Sequence, residues 1–474
     1  MEKKTSLSKA TAWYTTGNLF VRSVSFLLLP LYSNLISTTE FGNYALIMSL
    51  YAIISVFYYS GLQSALSKYY LEEDNEYKRK EIFSTIFNSI VIIGLILTTI
   101  IFLSADWIAE VSAGSRNYTG LIRMVFGALF FESIAFITLH LLRTKELARK
   151  VVIYSSFSAA VNFLLNIYLV YVLNLGIEGI ILAQLITAAF LFAILLPVLK
   201  ENYIRVFNFG LTKILFVFVF PLIVGGLLSS SVDVIDRFII DHFLGKGEVG
   251  IYSFSYRIAL VMNIFVLSLR SAWTPYSIRL YNEGNYTSEF GKSFTKIIAV
   301  CLLIFLMVSM FIDDLFNFHL NGFYLFDPAY RSGIIIIPVV LASYILSAIV
   351  TYYSVYPYVS GKSIHFLVSD LIAFVINIAL NFILIPLYGI MGAAVATLFS
   401  YLGAAAYLLL ISEKKIKIAY EPSKIVLILV STSFFYLISK LLHIFFVDII
   451  LFIIAFLLLY SLTGFKLRPA GNKI

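Results

Sequence analysis

An arginine in the middle of an apolar run is the first residue of this chain that demands a chemical reason. Arg22 lies within a hydrophobic stretch from 11 to 36, where a charge costs about 2.5–3.5 kcal/mol on membrane-insertion scales. Two arrangements offset that cost: an anion met in a water-filled cavity, or snorkelling and pairing with a carboxylate that ties helices together. Glu132, deep in the stretch 119–141, is the candidate carboxylate. It equally suits a protonatable coupling site or a protonated structural hydrogen bond. Asp233, Asp236 and Arg237 fall late in the stretch 212–240, with Asp233 and Arg237 four apart on one helix face. That cluster reads either as a self-paired group at an interface or, through its two acids, as an ion-coupling site. Arg257, in the following stretch, is placed to pair with Asp233 or Asp236; Arg270 stands at the opposite end, where snorkelling is easy. Asn162 with Asn166, and Asn377 with Asn381, align two amides on one face of a helix. Interhelical amide bonds in membranes average about 0.6 kcal/mol, so helix packing is the plainer reading and a polar cavity lining the other.

Other chemistries lack their residues. The tripeptides Gly291-Lys292-Ser293 and Gly361-Lys362-Ser363 have Tyr286 and Tyr356 where a P-loop needs its first glycine. Cys301 is the sole cysteine, so there is no internal disulfide, and no His or Cys spacing suits a metal.

The elements that must position these groups follow from composition. The 474 residues are 61% hydrophobic and 13% charged, with a mean hydropathy of +0.94, whereas a soluble globule carries about 45–50% apolar and about 25% charged residues. Fourteen apolar stretches can be laid out, each long enough for a helix crossing of about 20 residues. Of the 34 Lys and Arg, 25 fall on one side of this layout, five on the other and four in the spans. Basic residues mark cytoplasmic loops, so both termini are expected to face the cytoplasm. The net charge of +8 is therefore a matter of membrane orientation, not of nucleic-acid binding. Pro30, Pro221, Pro338 and Gly225-Gly226 interrupt spans and read either as the flexible or broken segments a transporter uses or as residues that many membrane helices carry with no hinge role.

Internal repeats set the architecture. Glu40, Gly42 and Tyr44 recur as Glu248, Gly250 and Tyr252; Gln63-Ser64-Ala65 matches Arg270-Ser271-Ala272; Asn162 and Asn166 match Asn377 and Asn381; Gly176 and Gly179 match Gly389 and Gly392. The spacing drifts by only a few residues, and six spans separate the copies. An even number makes the repeats parallel, related by an axis along the membrane normal. The expected fold is all-α and integral to the membrane, with about 14 transmembrane helices. Two six-helix lobes, residues 1–206 and 207–412, precede two further helices in 413–474. Gln63 and Arg270 then place a polar group at one depth in each lobe, as a central cavity between lobes requires.

Gly17-Asn18 with Arg22, the run Glu40-Phe41-Gly42-Asn43-Tyr44, Gln63-Ser64-Ala65, and Asn377 through the Tyr388-Gly389-Ile390-x-Gly392 turn together resemble Wzx-type lipid-linked oligosaccharide flippases. These belong to the multidrug/oligosaccharidyl-lipid/polysaccharide superfamily. The resemblance spans essentially the whole chain and implies a MATE-like fold in the bacterial cytoplasmic (inner) membrane. The implied activity is transfer of an undecaprenyl-diphosphate-linked oligosaccharide to the outer leaflet by alternating access, for O-antigen or other surface polysaccharide. Arg22, then Arg270 and Arg257, would meet the diphosphate, with Gln63, Asn162 and Asn377 lining the path; the two added helices would help form a groove for the polyprenyl tail. Glu132, Asp233 and Asp236 are the candidates for coupling to an H+ or Na+ gradient; no cofactor is implied. Implied partners are the lipid-linked glycan, membrane lipids and the polysaccharide polymerase or chain-length machinery. The diphosphate is a double anion, for which arginine offers a permanently charged donor fork. A cation-coupled drug exporter of the same superfamily would carry a carboxylate in its first helix, where this chain has Arg22. A membrane glycosyltransferase or polymerase would have only Asp313, Asp314 and His319 to draw on.

Arg22→Ala is expected to abolish export while membrane insertion stays normal, with Arg22→Lys partly active. Complementation of an export-deficient strain, with insertion checked by fractionation, measures both.

Overall fold

The computed structural model describes Trp13, Gly17 and residues 20–21, 23–24, 26–59, 61–284, 286–362, 364–442 and 444–464. Arg22 lies outside the described residues. Hydrocarbon offers no partner to backbone amides and carbonyls, so each crossing must satisfy its own, and a helix does so within one segment. The chain accordingly runs through α1 (Leu29–Leu35), α2 (Thr38–Tyr59), α3 (Leu62–Glu72), α4 (Glu76–Ala113), α5 (Thr119–Thr144), α6 (Ala148–Asn166), α7 (Gly176–Asn202) and α8 (Phe209–Leu244). It continues with α9 (Lys246–Asn282), α10 (Tyr286–Asn317), α11 (Ile337–Tyr353), α12 (Val355–Ser360), α13 (Ile364–Tyr388), α14 (Ile390–Glu413), α15 (Pro422–Leu442) and α16 (Phe445–Thr463). A two-residue hairpin, β1 (His319–Leu320) with β2 (Phe323–Tyr324), follows α10.

Thirteen crossings among the described residues are long and apolar enough to span a membrane. They match the second to fourteenth apolar stretches, so the all-α, multi-pass architecture stands. Helix ends fall where the sequence supplies caps: Asn75 accepts from the amides of Tyr77 (2.9 Å) and Lys78 (3.2 Å) to start α4, and Asn208 accepts from Leu211 (2.9 Å) to start α8.

Breaks do not fall where proline alone would put them. Pro221 and Gly225-Gly226 sit inside the continuous α8, and Pro30 and Pro338 occupy first-turn positions where a missing amide costs nothing. The second stretch breaks instead at Gly61, whose φ of 82° lies in the left-handed region. A side chain there would also meet Val219 Cγ1 at 2.8 Å and Leu222 Cβ at 3.2 Å of α8, so glycine is needed for both conformation and room. Its repeat counterpart α9 runs through unbroken. A single π-helical turn, Ile167–Val172, extends α6.

The chain forms two compact units, residues 1–253 and 254–474. In the first, Phe83, Ile86, Ile90, Ile137, Leu141 and Val219 build the main apolar core. Its tightest crossing joins the start of α2 to the start of α9. A Cβ on Gly42 would lie 1.9 Å from the Lys246 carbonyl oxygen, and one on Gly250 would lie 1.9 Å from that of Thr38. These four residues are two repeat-related pairs, so the contact is self-complementary and depends on both glycines. In the second unit, α14 packs through a face of small residues that includes Ala393, Ala396, Ser400 and Ala404, which lets backbones approach where no hydrophobic effect drives association.

Gly42→Ala and Gly250→Ala should each destabilise the protein by about 1–3 kcal/mol through overpacking. Thermal unfolding of the purified variants in detergent reads this as a lowered midpoint; unchanged midpoints would contradict the crossing.

Candidate functional site

A polar seam runs through the first unit. From α5, Glu132 accepts hydrogen bonds at both carboxylate oxygens: Tyr51 of α2 donates to Oε2, and Gln184 Nε2 of α7 donates to Oε1 at 3.1 Å. One turn further along α7, Thr187 Oγ1 accepts from Asn162 Nδ2 of α6 at 3.3 Å. Asn166 Nδ2 donates to the Asn162 carbonyl (2.8 Å) and to Asn162 Oδ1 (3.1 Å), and Tyr32 of α1 donates to Asn166 Oδ1 at 2.8 Å. Gln184 and Thr187, three apart, share a face of α7 and carry the seam from the carboxylate to the amide pair. Glu132 and Asn162 thus belong to one network. Tyr51, Gln184, Thr187 and Tyr32 complete it without having been singled out; the polar residues within the apolar stretch 177–199 were the available signal.

A second cluster surrounds Asp236, which is buried. Arg237 donates to Asp236 Oδ1 (2.9 Å) and to the backbone carbonyl of Asp233 (2.5 Å), while Tyr252 donates to Asp236 Oδ2 (2.5 Å). The Arg237 guanidinium also lies over the Tyr252 ring, 5.7 Å from its centre. The ion pair shown for Arg237 is with its sequence neighbour, and Asp233 contributes its carbonyl to the same guanidinium from an exposed position. Asp236 is thereby held between a guanidinium of its own helix α8 and a phenol of α9.

Gln63 is half-buried, with no partner for its Oε1 among the described residues. In the second unit Arg257 is half-buried and Arg270 exposed on α9. Asn377 and Asn381 are fully buried: Asn381 Nδ2 donates to Asn377 Oδ1 at 2.9 Å, but Asn377 Nδ2 and Asn381 Oδ1 have no partner among the described residues. The repeat explains the difference. Ser400 stands where Thr187 stands in the first copy and turns back to its own helix, donating to the Ala396 carbonyl at 2.6 Å.

The second unit also holds an apolar groove of about 690 Å³. One wall is α10, through Phe294, Ile298, Leu302 and Phe305; the facing wall is α15, through Ile425, Leu429, Tyr436 and Leu437, with α11 behind. The segment between α14 and α15 fixes one end. The Ala419 amide donates to the Thr287 carbonyl at 3.1 Å, and Gly291 lies so close to Ala419 that a Cβ would be 1.8 Å from its carbonyl oxygen. Tyr420 and Tyr353 share a hydrogen bond of 2.6 Å; burial, then this contact, pushes the Tyr420 phenol above the usual tyrosine range. At the other end, Lys440 of α15 pairs with Asp313 of α10 at 2.5 Å.

A family model described as "Polysaccharide biosynthesis protein" matches residues 7–281. The chain belongs to this family. An uncharacterized membrane protein of Methanocaldococcus jannaschii is 22% identical, over 85% of this chain and 83% of that one. Among solved structures, a lipid II flippase MurJ in its inward closed conformation aligns with a TM-score of 0.77 at 16% identity, covering 95% of this chain and 98% of that chain. An inward-facing multidrug resistance MATE family transporter of the MOP superfamily aligns at 0.70 and 13% identity, covering 85% and 98%. The fold is the one these two solved structures share, and the chain is a multi-pass membrane protein of the polysaccharide biosynthesis family.

Asp236→Ala would remove the buried carboxylate that Arg237 and Tyr252 share, and breaking a buried ion pair costs about 3–5 kcal/mol. The variant should lose most of its folded yield in detergent; a yield equal to that of the wild type would contradict the assignment.

Proposed function

We propose that this protein moves a polyprenyl-diphosphate-linked oligosaccharide, with undecaprenyl as the carrier, from the cytoplasmic to the outer leaflet of the bacterial cytoplasmic membrane. The observation that carries this reading is the groove between α10 and α15. Its walls are apolar save for Thr432, Ser433 and Tyr436, and one of them is α15, the first of the two helices that stand outside the repeat. A substrate with a long hydrocarbon chain needs such a place; a soluble cation does not. The tail can stay in the groove and bilayer while the sugar and diphosphate cross the polar interior, where arginines supply the anion contacts.

Coupling falls to Glu132. Its hydrogen-bond partners among the described residues are the neutral Tyr51 and Gln184, neither of which fixes its charge as a guanidinium fixes that of Asp236, and exchange of one proton changes the seam it anchors. Asp236 is occupied by Arg237 and Tyr252 and serves stability. Membership of a polysaccharide biosynthesis family and the fold shared with the lipid II flippase support a lipid-linked substrate. The polymerase reading is weakened, because Asp313, one of its few acids, is engaged by Lys440.

Leu302→Trp, which fills the groove, should lower export of lipid-linked glycan at least tenfold with normal membrane insertion. Surface glycan measured in an export-deficient strain tests it; wild-type export by the inserted variant would overturn the groove as the tail site.

A further inference from the structure

The groove's two walls do not end at its apolar lining. On α10 the lining residues Phe294, Ile298, Leu302 and Phe305 recur at three- and four-residue steps, and the same steps lead to Ser309 and Asp313. On α15 the steps through Leu429 and Tyr436 lead to Lys440. Residues so spaced share a helix face, so the apolar stripe of each wall continues into a polar end, remote from the basic segment 413–424. Three facts distinguish that end. Ser309 is fully buried and its hydroxyl has no partner among the described residues, an unmet donor in a place where that is costly. Lys440 and Asp313 bridge the two walls at 2.5 Å, and their side chains keep 28% and 30% of their surface exposed. Finally, in the orientation expected from the Lys and Arg distribution this end is external, where basic residues are few, and Arg331, another base on that side of this unit, is taken up by Asn317 at 2.7 Å.

We propose that Lys440 is a docking site for the phosphate-bearing headgroup of a lipid whose chain occupies the groove, and that Asp313 holds this site shut when the groove is empty. The proposal rests on the groove being the tail site. An apolar trough ending in one releasable cation is complementary to an amphiphile with an apolar chain and an anionic head. Asp313 is the built-in competitor: the headgroup takes over the ammonium, Asp313 turns to solvent, and the bridge between α10 and α15 opens as the lipid seats. Asp314, next in sequence, and the buried Asp448 in the first turn of α16 keep this end acidic. Lys440 is therefore the group on which an anion's affinity depends, and a lipid bound there is weakly held and ready to leave. A purely structural bridge has the same geometry but makes a different prediction. Removing either partner of a structural pair weakens it alike, whereas removing the competitor Asp313 and removing the donor Lys440 act in opposite directions on anion binding.

The experiment uses the full-length chain in phosphatidylcholine nanodiscs and measures binding of a polyprenyl diphosphate and of the polyprenyl alcohol of equal length by native mass spectrometry. Wild type should prefer the diphosphate. Lys440→Gln should erase that preference without changing alcohol binding, Lys440→Arg should retain it, and Asp313→Asn should increase it by about tenfold, the scale of one charge-assisted contact. Persistence of the preference in Lys440→Gln, or parallel losses for both ligands in Lys440→Gln and Asp313→Asn, would overturn the proposal. Failure of both ligands to bind wild type, or their indifference to Leu302→Trp, would instead remove the groove itself. Adding phosphatidylglycerol separates the two sources of a lipid phosphate: retained diphosphate binding supports the transported lipid as occupant, and displacement would overturn that assignment in favour of bulk phospholipid.

Discussion

Inside hydrocarbon, every charged or polar side chain must be answered by another part of the same chain, because water and counter-ions are absent. The contacts of this protein are organised by that requirement. Asp236 is answered by Arg237 and Tyr252, Glu132 by Tyr51 and Gln184, and Asn166 by Asn162 and Tyr32. The three answers differ in kind, and so do their consequences. A carboxylate met by a guanidinium and a phenol is neutralised and fixed. A carboxylate whose partners among the described residues are neutral donors keeps the option of gaining a proton, and an amide ladder ties α1, α6 and α7 together.

Duplication supplies two copies of one scaffold, and the copies have diverged in how they treat their polar positions. In the first, Thr187 reaches across to Asn162, a π-helical turn follows Asn166, and the second crossing breaks at Gly61. In the second, Ser400 folds back on its own helix, Asn377 and Asn381 keep unmet atoms, and α9 runs through without a break. The added helix α15 completes, against α10 and α11, an apolar trough with a pinned end at Tyr420 and an ion pair at the other. A transporter for an amphiphile needs both kinds of surface, polar for the head and apolar for the tail.

Much of this could be read from residue order alone. Apolar runs of span length and the one-sided distribution of Lys and Arg indicate a multi-pass helical protein, and Gly42 with Gly250 marked a repeat whose physical meaning, a self-complementary backbone crossing, appeared only in the coordinates. Candidate breaks at Pro221 and Gly225-Gly226 gave way to one at Gly61, because a membrane helix tolerates proline when its neighbours pack well, while a positive φ against α8 admits nothing but glycine. Single residues such as Glu132 and Asn162 stood out as polar in an apolar setting. Their partners did not, since a tyrosine or threonine is common in membrane helices and only three-dimensional proximity gives it a role. The bridge between Asp313 and Lys440 joins helices more than a hundred residues apart and left no mark on local pattern.

Transport itself can be observed with the purified chain in proteoliposomes loaded on one leaflet with a fluorescent polyprenyl-diphosphate-linked oligosaccharide, its exposure followed by a membrane-impermeant quencher. Movement of the glycan lipid between leaflets in the presence of the protein, lost in Arg22→Ala and undiminished by removal of ATP, is the result expected of a lipid-linked flippase. Liposomes in which the protein moves soluble organic cations while the glycan lipid stays in its original leaflet would contradict it.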